Sequence, residues 1–151
     1  MAVRPSFDIE QIRDRVRLLF GNRPEVLAAF LFGSVSRGTA GRLSDLDIAV
    51  LLEARAAHQH RTDAYKAQLL VELMSSLRTN KLDLVVLNEA PSLLAHRVLR
   101  DGLLLHAADE AALVDFRFRA LQRYLDTKPL REARAAALRQ RLERGTFATT
   151  G

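Results

Sequence analysis

Apolar residues recur along this chain in two rhythms, one helical and one extended. Between Asp8 and Phe20, Ile9, Ile12, Val16 and Leu19 repeat at helical spacing, with Ser6 or Asp8 placed as N-cap. Gly21-Asn22-Arg23-Pro24 breaks that run. Val26 to Phe32 is short and continuously apolar, which predicts a buried strand. Gly33 to Leu43 is rich in Gly, Ser and Thr and predicts a loop with room for a short helix. Leu46–Leu52 and Leu82–Leu87 predict two further strands. Between them, His58 to Leu77 predicts a helix with Tyr65, Leu69, Leu73 and Leu77 on one stripe.

Downstream, Pro91 to Leu99 predicts a helix that Asp101-Gly102 ends, and Leu103 to Leu105 a short edge strand. Glu110 to Leu125 predicts a helix whose apolar face holds Leu113, Phe116, Ala120, Leu121, Tyr124 and Leu125. Pro129 is expected to interrupt it, with a last helix over Leu130–Leu142 and a flexible tail over 145–151. This order predicts one small α/β (α+β) domain, a mixed sheet with helices. Its core is expected over residues 1–108, with a helical C-terminal extension over 109–144.

Composition narrows the class. With 151 residues, 48% of them hydrophobic, there is material for one core without staples. The absence of cysteine excludes disulfides and thiolate metal sites and suits the cytoplasm. Neither a membrane-spanning run nor a signal-peptide core is present in the sequence. The net charge of +5 is unevenly placed. Residues 1–110 balance 14 Lys/Arg against 14 Asp/Glu, while 111–151 hold nine against four. A local basic excess beside Phe116, Phe118, Leu121 and Tyr124 predicts that residues 116–142 form much of a partner surface, with Arg131, Arg134 and Arg139 in contact.

The chemistry is concentrated between Phe32 and Val50. Asp45 and Asp47 stand two apart at the start of a strand, so their carboxylates share a face while Leu46, Ile48 and Val50 anchor the other. Two such carboxylates repel unless a cation sits between them, and hard oxygen ligands suit Mg2+. Gly33-Ser34 follows directly on a buried strand. There, glycine admits a ligand close to the backbone, and N–H groups and the Ser34 hydroxyl are placed to hold phosphate oxygens. Arg37 and Arg42 in the same loop add charge for a triphosphate. Asp83, in an otherwise apolar strand, supplies a third carboxylate, enough for two ions if the strands adjoin.

Gly33-Ser34, ten residues, then Asp45-Leu46-Asp47 resembles the signature of the DNA polymerase β nucleotidyltransferase superfamily. Arg37-Gly38-Thr39-Ala40 and Ser44 are similar to its minimal branch. The likeness runs on through Leu82–Val85 and Leu87–Pro91 to Arg123–Leu130, a segment that resembles the C-terminus of MntA-type antitoxins. The resemblance implies a polymerase-β-like fold and a Mg2+-dependent transfer of AMP from ATP to a tyrosine of a HEPN-type ribonuclease toxin, silencing it. It implies Gly33, Ser34 and Arg37 at the triphosphate, Asp45 and Asp47 on the metal, and Asp83 as third catalytic carboxylate and metal ligand.

Other signals are set aside. Arg55 and His60 have Arg-x4-His ribonuclease spacing, but Thr62 stands where that motif has tyrosine. His58 and His60 have no nearby acid or cysteine to complete a metal site, and His96 and His106 read as core or surface histidines. With few aromatics among its arginines, the last helix is not expected to bind nucleic acid directly. Two alternative functions are weighed: a small-molecule nucleotidyltransferase of the antibiotic-modifying sort, for which little chain remains to build an acceptor pocket, and a toxin-occluding antitoxin without chemistry.

Overall fold

The continuous apolar runs lie in the middle of a four-stranded sheet covered on both faces. The computed structural model describes residues 8–38, 45–59 and 62–145. β1 (Val26–Phe32), β2 (Leu46–Leu52), β3 (Leu82–Val86) and β4 (Leu103–Ala107) are ordered β3-β2-β1-β4. β1 is antiparallel to β2 and β4, whereas β2 and β3 run parallel. A parallel pair needs a crossover, and α3 (Ala54–Gln59) with α4 (Thr62–Leu77) supplies it. The helix expected from His58 is thus two helices. The first starts earlier, among the strong helix formers Ala54, Ala56 and Ala57, with Ala56 buried.

Strands buried on both faces read as unbroken apolar runs. On one face, Ile48, Val50 and Leu84 pack with Val16 and Phe20 of α1 (Ile9–Phe20) and with Leu69 and Leu73 of α4. Asp8 caps α1 by accepting the Glu10 N–H at 3.0 Å, while Ser6 lies outside the described residues. On the other face, Ala28, Phe30, Ala49 and Leu51 meet α5 (Ser92–Asp101) and α6 (Glu110–Glu143) through Ala95, Val98, Leu113, Phe116 and Ala120. Beyond β3, the Asn88 carboxamide accepts from the Leu52 N–H and donates to the Leu52 carbonyl, both at 2.9 Å, and so clips the end of β2.

One expectation for the C-terminal half is corrected. Pro129 does not interrupt the helix: α6 runs through it from Glu110 to Glu143. A proline removes one N–H and crowds the carbonyl four residues back. The carbonyl that loses its donor is that of Leu125; next to it, Thr127 Oγ1 donates to the Arg123 carbonyl at 2.8 Å and Arg131 Nη2 to that of Tyr124 at 2.8 Å. Within the segment expected at a partner surface, three residues pack inside this chain. Phe116 is buried in the core, and Tyr124 and Arg131 serve this chain's own α5–α6 junction. The Tyr124 ring stacks on His96 at 3.8 Å, and the Arg131 guanidinium lies 4.4 Å from the same ring. Ser92, Thr127 and Arg131 complete the junction through side-chain hydrogen bonds. Among the described residues no helix is long and apolar enough to cross a membrane.

His106 on β4 is half-buried against Phe20, ring centroids 5.9 Å apart, with no hydrogen-bond partner for Nε2. Burial pushes its pKa below the usual 6.5, and the Arg17 charge adds to that. With the folded pKa depressed, the unfolded chain takes up the proton first. The stability due to neutral His106 is therefore present above about pH 6.5 and is lost as pH falls. Thermal melts at pH 7.5 and 5.5 should show a smaller difference in Tm for His106→Gln than for the unsubstituted protein. Equal differences would show that His106 does not set the trend.

Candidate functional site

The site forms where β1 ends and β2 begins. Phe32, the last residue of β1, stands opposite Asp47 in the antiparallel register, so the chain leaving β1 passes directly beside that carboxylate. It turns there into α2 (Gly33–Ser36). Gly33 has φ +75°, and a Cβ on it would lie 2.1 Å from Asp47 Oδ2. Only glycine fits, for both its backbone angle and the space available. Ser36 Oγ and the Arg37 N–H both donate to the Gly33 carbonyl, at 2.8 and 3.3 Å, and buried Val35 pins the turn to the core. Ser34 is half-buried on this turn and Arg37, at its end, is exposed.

Asp83 is in parallel register with Asp47 on the neighbouring strand. In-register residues on adjacent strands share a face about 4.8 Å apart. Asp45, just before β2, is exposed, as is Asp83 on the edge strand, while Asp47 between them is half-buried. Burial raises the Asp47 pKa above the usual carboxylate value, the charges of Asp83 and Asp45 raise it further, and Arg37 opposes them. The sheet therefore sets Asp83 beside Asp47, which lies against the Gly33 turn, with the charge of Asp45 felt at Asp47. Arg42 lies outside the described residues, as does His60 of the Arg-x4-His pattern, and the surroundings of the His58 side chain are likewise undescribed.

Among the described residues, no three His, Cys, Asp or Glu side chains are grouped closely enough to hold a metal ion. Like charges on one face push apart. Oxygen-only donors of this kind, with an excess of negative charge, fit a hard cation that takes its remaining ligands from phosphate and water.

One neighbour of the site is illegible in sequence. Asp101-Gly102 reads as a helix stop, yet it places the end of α5 against the end of β1: a Cβ on Gly102 would meet the Leu31 carbonyl at 3.3 Å. The Asp101 carboxylate is held below the usual range by hydrogen bonds from Arg100, at 2.8 and 2.9 Å, and also feels the charge of Arg37. The Arg37 charge is thus felt both at Asp47 on the sheet and at Asp101 at the end of α5.

Comparison with known proteins adds a family context. The model of the family described as polymerase beta, nucleotidyltransferase matches residues 15–111. Protein adenylyltransferase MntA of Shewanella oneidensis is 34% identical over 87 residues, a stretch that spans 58% of this chain and 58% of that relative. Among solved structures, a toxin–antitoxin crystal structure with AMP-PNP contains a chain that superposes with a TM-score of 0.68 and 28% identity, covering 87% of this chain and 98% of its own. A second, of a tri-AMPylated Shewanella oneidensis HEPN toxin in complex with an MNT antitoxin, gives 0.64 and 25%, covering 85% of this chain and 96% of the other.

Two outcomes are expected of the site's geometry. Asp47→Asn should raise Tm at pH 7, because an ionised group whose folded pKa is raised opposes folding above its unfolded pKa of 3.8; the gain should vanish below that pH. Gly33→Ala should lower stability by about 1–3 kcal/mol. It should lower it less in an Asp47→Ala background, where the nearest Asp47 atom left is Cβ at 3.4 Å. Additive effects in that double-mutant cycle, measured by chemical denaturation, would remove the Gly33–Asp47 contact from the account.

Proposed function

The chain belongs to the polymerase β nucleotidyltransferase family, and on that premise we propose that it transfers AMP from ATP to a tyrosine of a HEPN-type ribonuclease, which it thereby silences as an antitoxin. The observation that carries this reading is the Gly33 backbone seated on the Asp47 carboxylate, with Asp83 in register beside it on an exposed sheet edge. A triphosphate held by that turn meets the carboxylates at once, and Asp83 stays open to an acceptor carried by another protein. The likeness to an adenylyltransferase, and to antitoxins solved with AMP-PNP or with an AMPylated HEPN toxin, supports nucleotide and partner.

In this reading Gly33 and Ser34 bind the triphosphate and Arg37 balances its charge. Asp45, Asp47 and Asp83 would hold Mg2+, which supplies neutralisation of phosphate charge and lowers the pKa of the accepting hydroxyl. A tyrosine hydroxyl, with a pKa of about 10, is a weak nucleophile at neutral pH. Asp83 takes its proton as the oxygen bonds to the α-phosphorus, and the bond from that phosphorus to the departing pyrophosphate breaks. Positioning and charge compensation are most of what such a transfer asks of a protein. The added phosphate places negative charge on a ribonuclease that must bind RNA phosphates, which weakens that binding. An ATP-consuming reaction of this kind belongs in the cytoplasm.

The test is incubation with a HEPN-type protein, ATP and Mg2+, followed by intact-mass analysis and a ribonuclease assay. The expected result is a gain of AMP units with loss of ribonuclease activity. Asp83→Asn should slow the transfer about 10²–10⁴-fold, and chelation of Mg2+ should stop it. Full neutralisation by Asp83→Asn without a mass change would establish occlusion instead. Transfer to a small-molecule hydroxyl but not to the protein would establish the antibiotic-modifying alternative.

A further inference from the structure

The glycine that Asp47 demands leaves one peptide unit of the site in need of a hold. Gly33 has φ +75° and no room for a Cβ, because Asp47 Oδ2 occupies that place. Glycine moves between backbone conformations more freely than any other residue. The peptide unit joining Gly33 to Ser34 therefore flips readily unless its polar groups are fixed. Its carbonyl is fixed by two donors, Ser36 Oγ at 2.8 Å and the Arg37 N–H at 3.3 Å. The Arg37 bond is longer than the usual N–H···O range of about 2.7–3.2 Å, whereas the Ser36 bond has the ordinary length for a hydroxyl donor. Ser36 is half-buried, and Val35 before it is anchored in the core, so the hydroxyl stays in place. α2 is a single turn, Gly33–Ser36, and these two donors are what hold its first carbonyl.

We propose that Ser36 is a positioning residue for the nucleotide, locking the Gly33–Ser34 peptide so that the Ser34 N–H faces the triphosphate, an inference that rests on the function proposed above. A peptide unit is planar and trans, so its C=O and N–H point in opposite directions. With the Gly33 carbonyl turned in toward the Ser36 hydroxyl, the Ser34 N–H is turned away from the body of α2. Ser36 itself touches no substrate and acts through this backbone group. Alanine at position 36 leaves only the longer Arg37 bond. The peptide then spends part of its time flipped, with the Gly33 carbonyl oxygen set against the phosphate oxygens. Threonine keeps the donor, since its Oγ1 reaches the carbonyl three residues back in a helical turn.

The test compares Ser36→Ala and Ser36→Thr in the full chain, with the HEPN-type protein, ATP and Mg2+. Tm should change little in Ser36→Ala, because the better helix propensity of alanine offsets the lost bond. KM for ATP should rise roughly threefold to tenfold, the loss that one neutral hydrogen bond sustains. The kcat and the KM for the protein acceptor should stay as they are. Kd for AMP-PNP, measured by calorimetry without the partner, should rise by the same factor as KM for ATP. Ser36→Thr should restore both values. A lower Tm with kcat and both KM values impaired, and no rescue by threonine, would make Ser36 structural and overturn the proposal. Unchanged KM and Kd in Ser36→Ala, with AMP transfer intact, would overturn it and leave the proposed function standing. AMP-PNP affinity that falls with alanine and returns with threonine, in a protein that transfers no AMP, would overturn the function and leave the positioning role standing. No binding of AMP-PNP by the unsubstituted protein would overturn both.

Discussion

The contact between the Gly33 backbone and the Asp47 carboxylate is the constraint around which the site is arranged. A negatively charged oxygen lies where a side chain on residue 33 would have to be. Asp83 stands beside it in register and Asp45 precedes it by two residues, so three like charges share one end of the sheet. Nothing in a free chain favours that crowding. It persists because the same strands bury Ile48, Val50 and Leu84 on the opposite face, and the register that packs those side chains fixes the acids as well. Hydrophobic burial thereby holds an electrostatically unfavourable cluster in place, and the raised pKa of Asp47 is its signature.

The sheet order gives the cluster its accessibility. β2, with Asp47, is central, and β3, with Asp83, is the edge. One carboxylate is therefore half-buried while another is exposed. The parallel β2–β3 pairing makes this possible, since it puts both strand beginnings at the same end. At that end, α5 closes against β1 through Gly102, so that Arg37 answers to Asp101 as well as to Asp47.

Away from the site, α6 shows how a rule of local structure yields to its surroundings. Proline inside a helix removes one hydrogen bond, yet Thr127 and Arg131 donate to the carbonyls nearby, and Arg131 is itself held over the Tyr124 ring. The helix continues into a segment whose described residues from Glu132 to Gly145 are all exposed. The basic charge of the C-terminal region lies along this helix, and two of the side chains first assigned to an outer surface, Phe116 and Tyr124, turn inward instead.

Sequence alone determined a good deal here. Val26–Phe32 and Leu46–Leu52 are legible to the residue, because a strand buried on both faces leaves a continuous apolar run bounded by polar breaks. The Gly-Ser and Asp-x-Asp pattern carries the family resemblance, and the polymerase β nucleotidyltransferase family is the one that matches. Tertiary structure decided the rest. Periodicity is a property of one segment, and it could not say that β3 pairs with β2 in the register that sets Asp83 against Asp47. The contact of Gly33 with Asp47, the approach of Asp101 to Arg37 and the stacking of Tyr124 between residues of two helices all join positions distant in the chain. On α6, two apolar faces carry the same helical rhythm, and which of them is covered depends on where the sheet and α5 happen to lie.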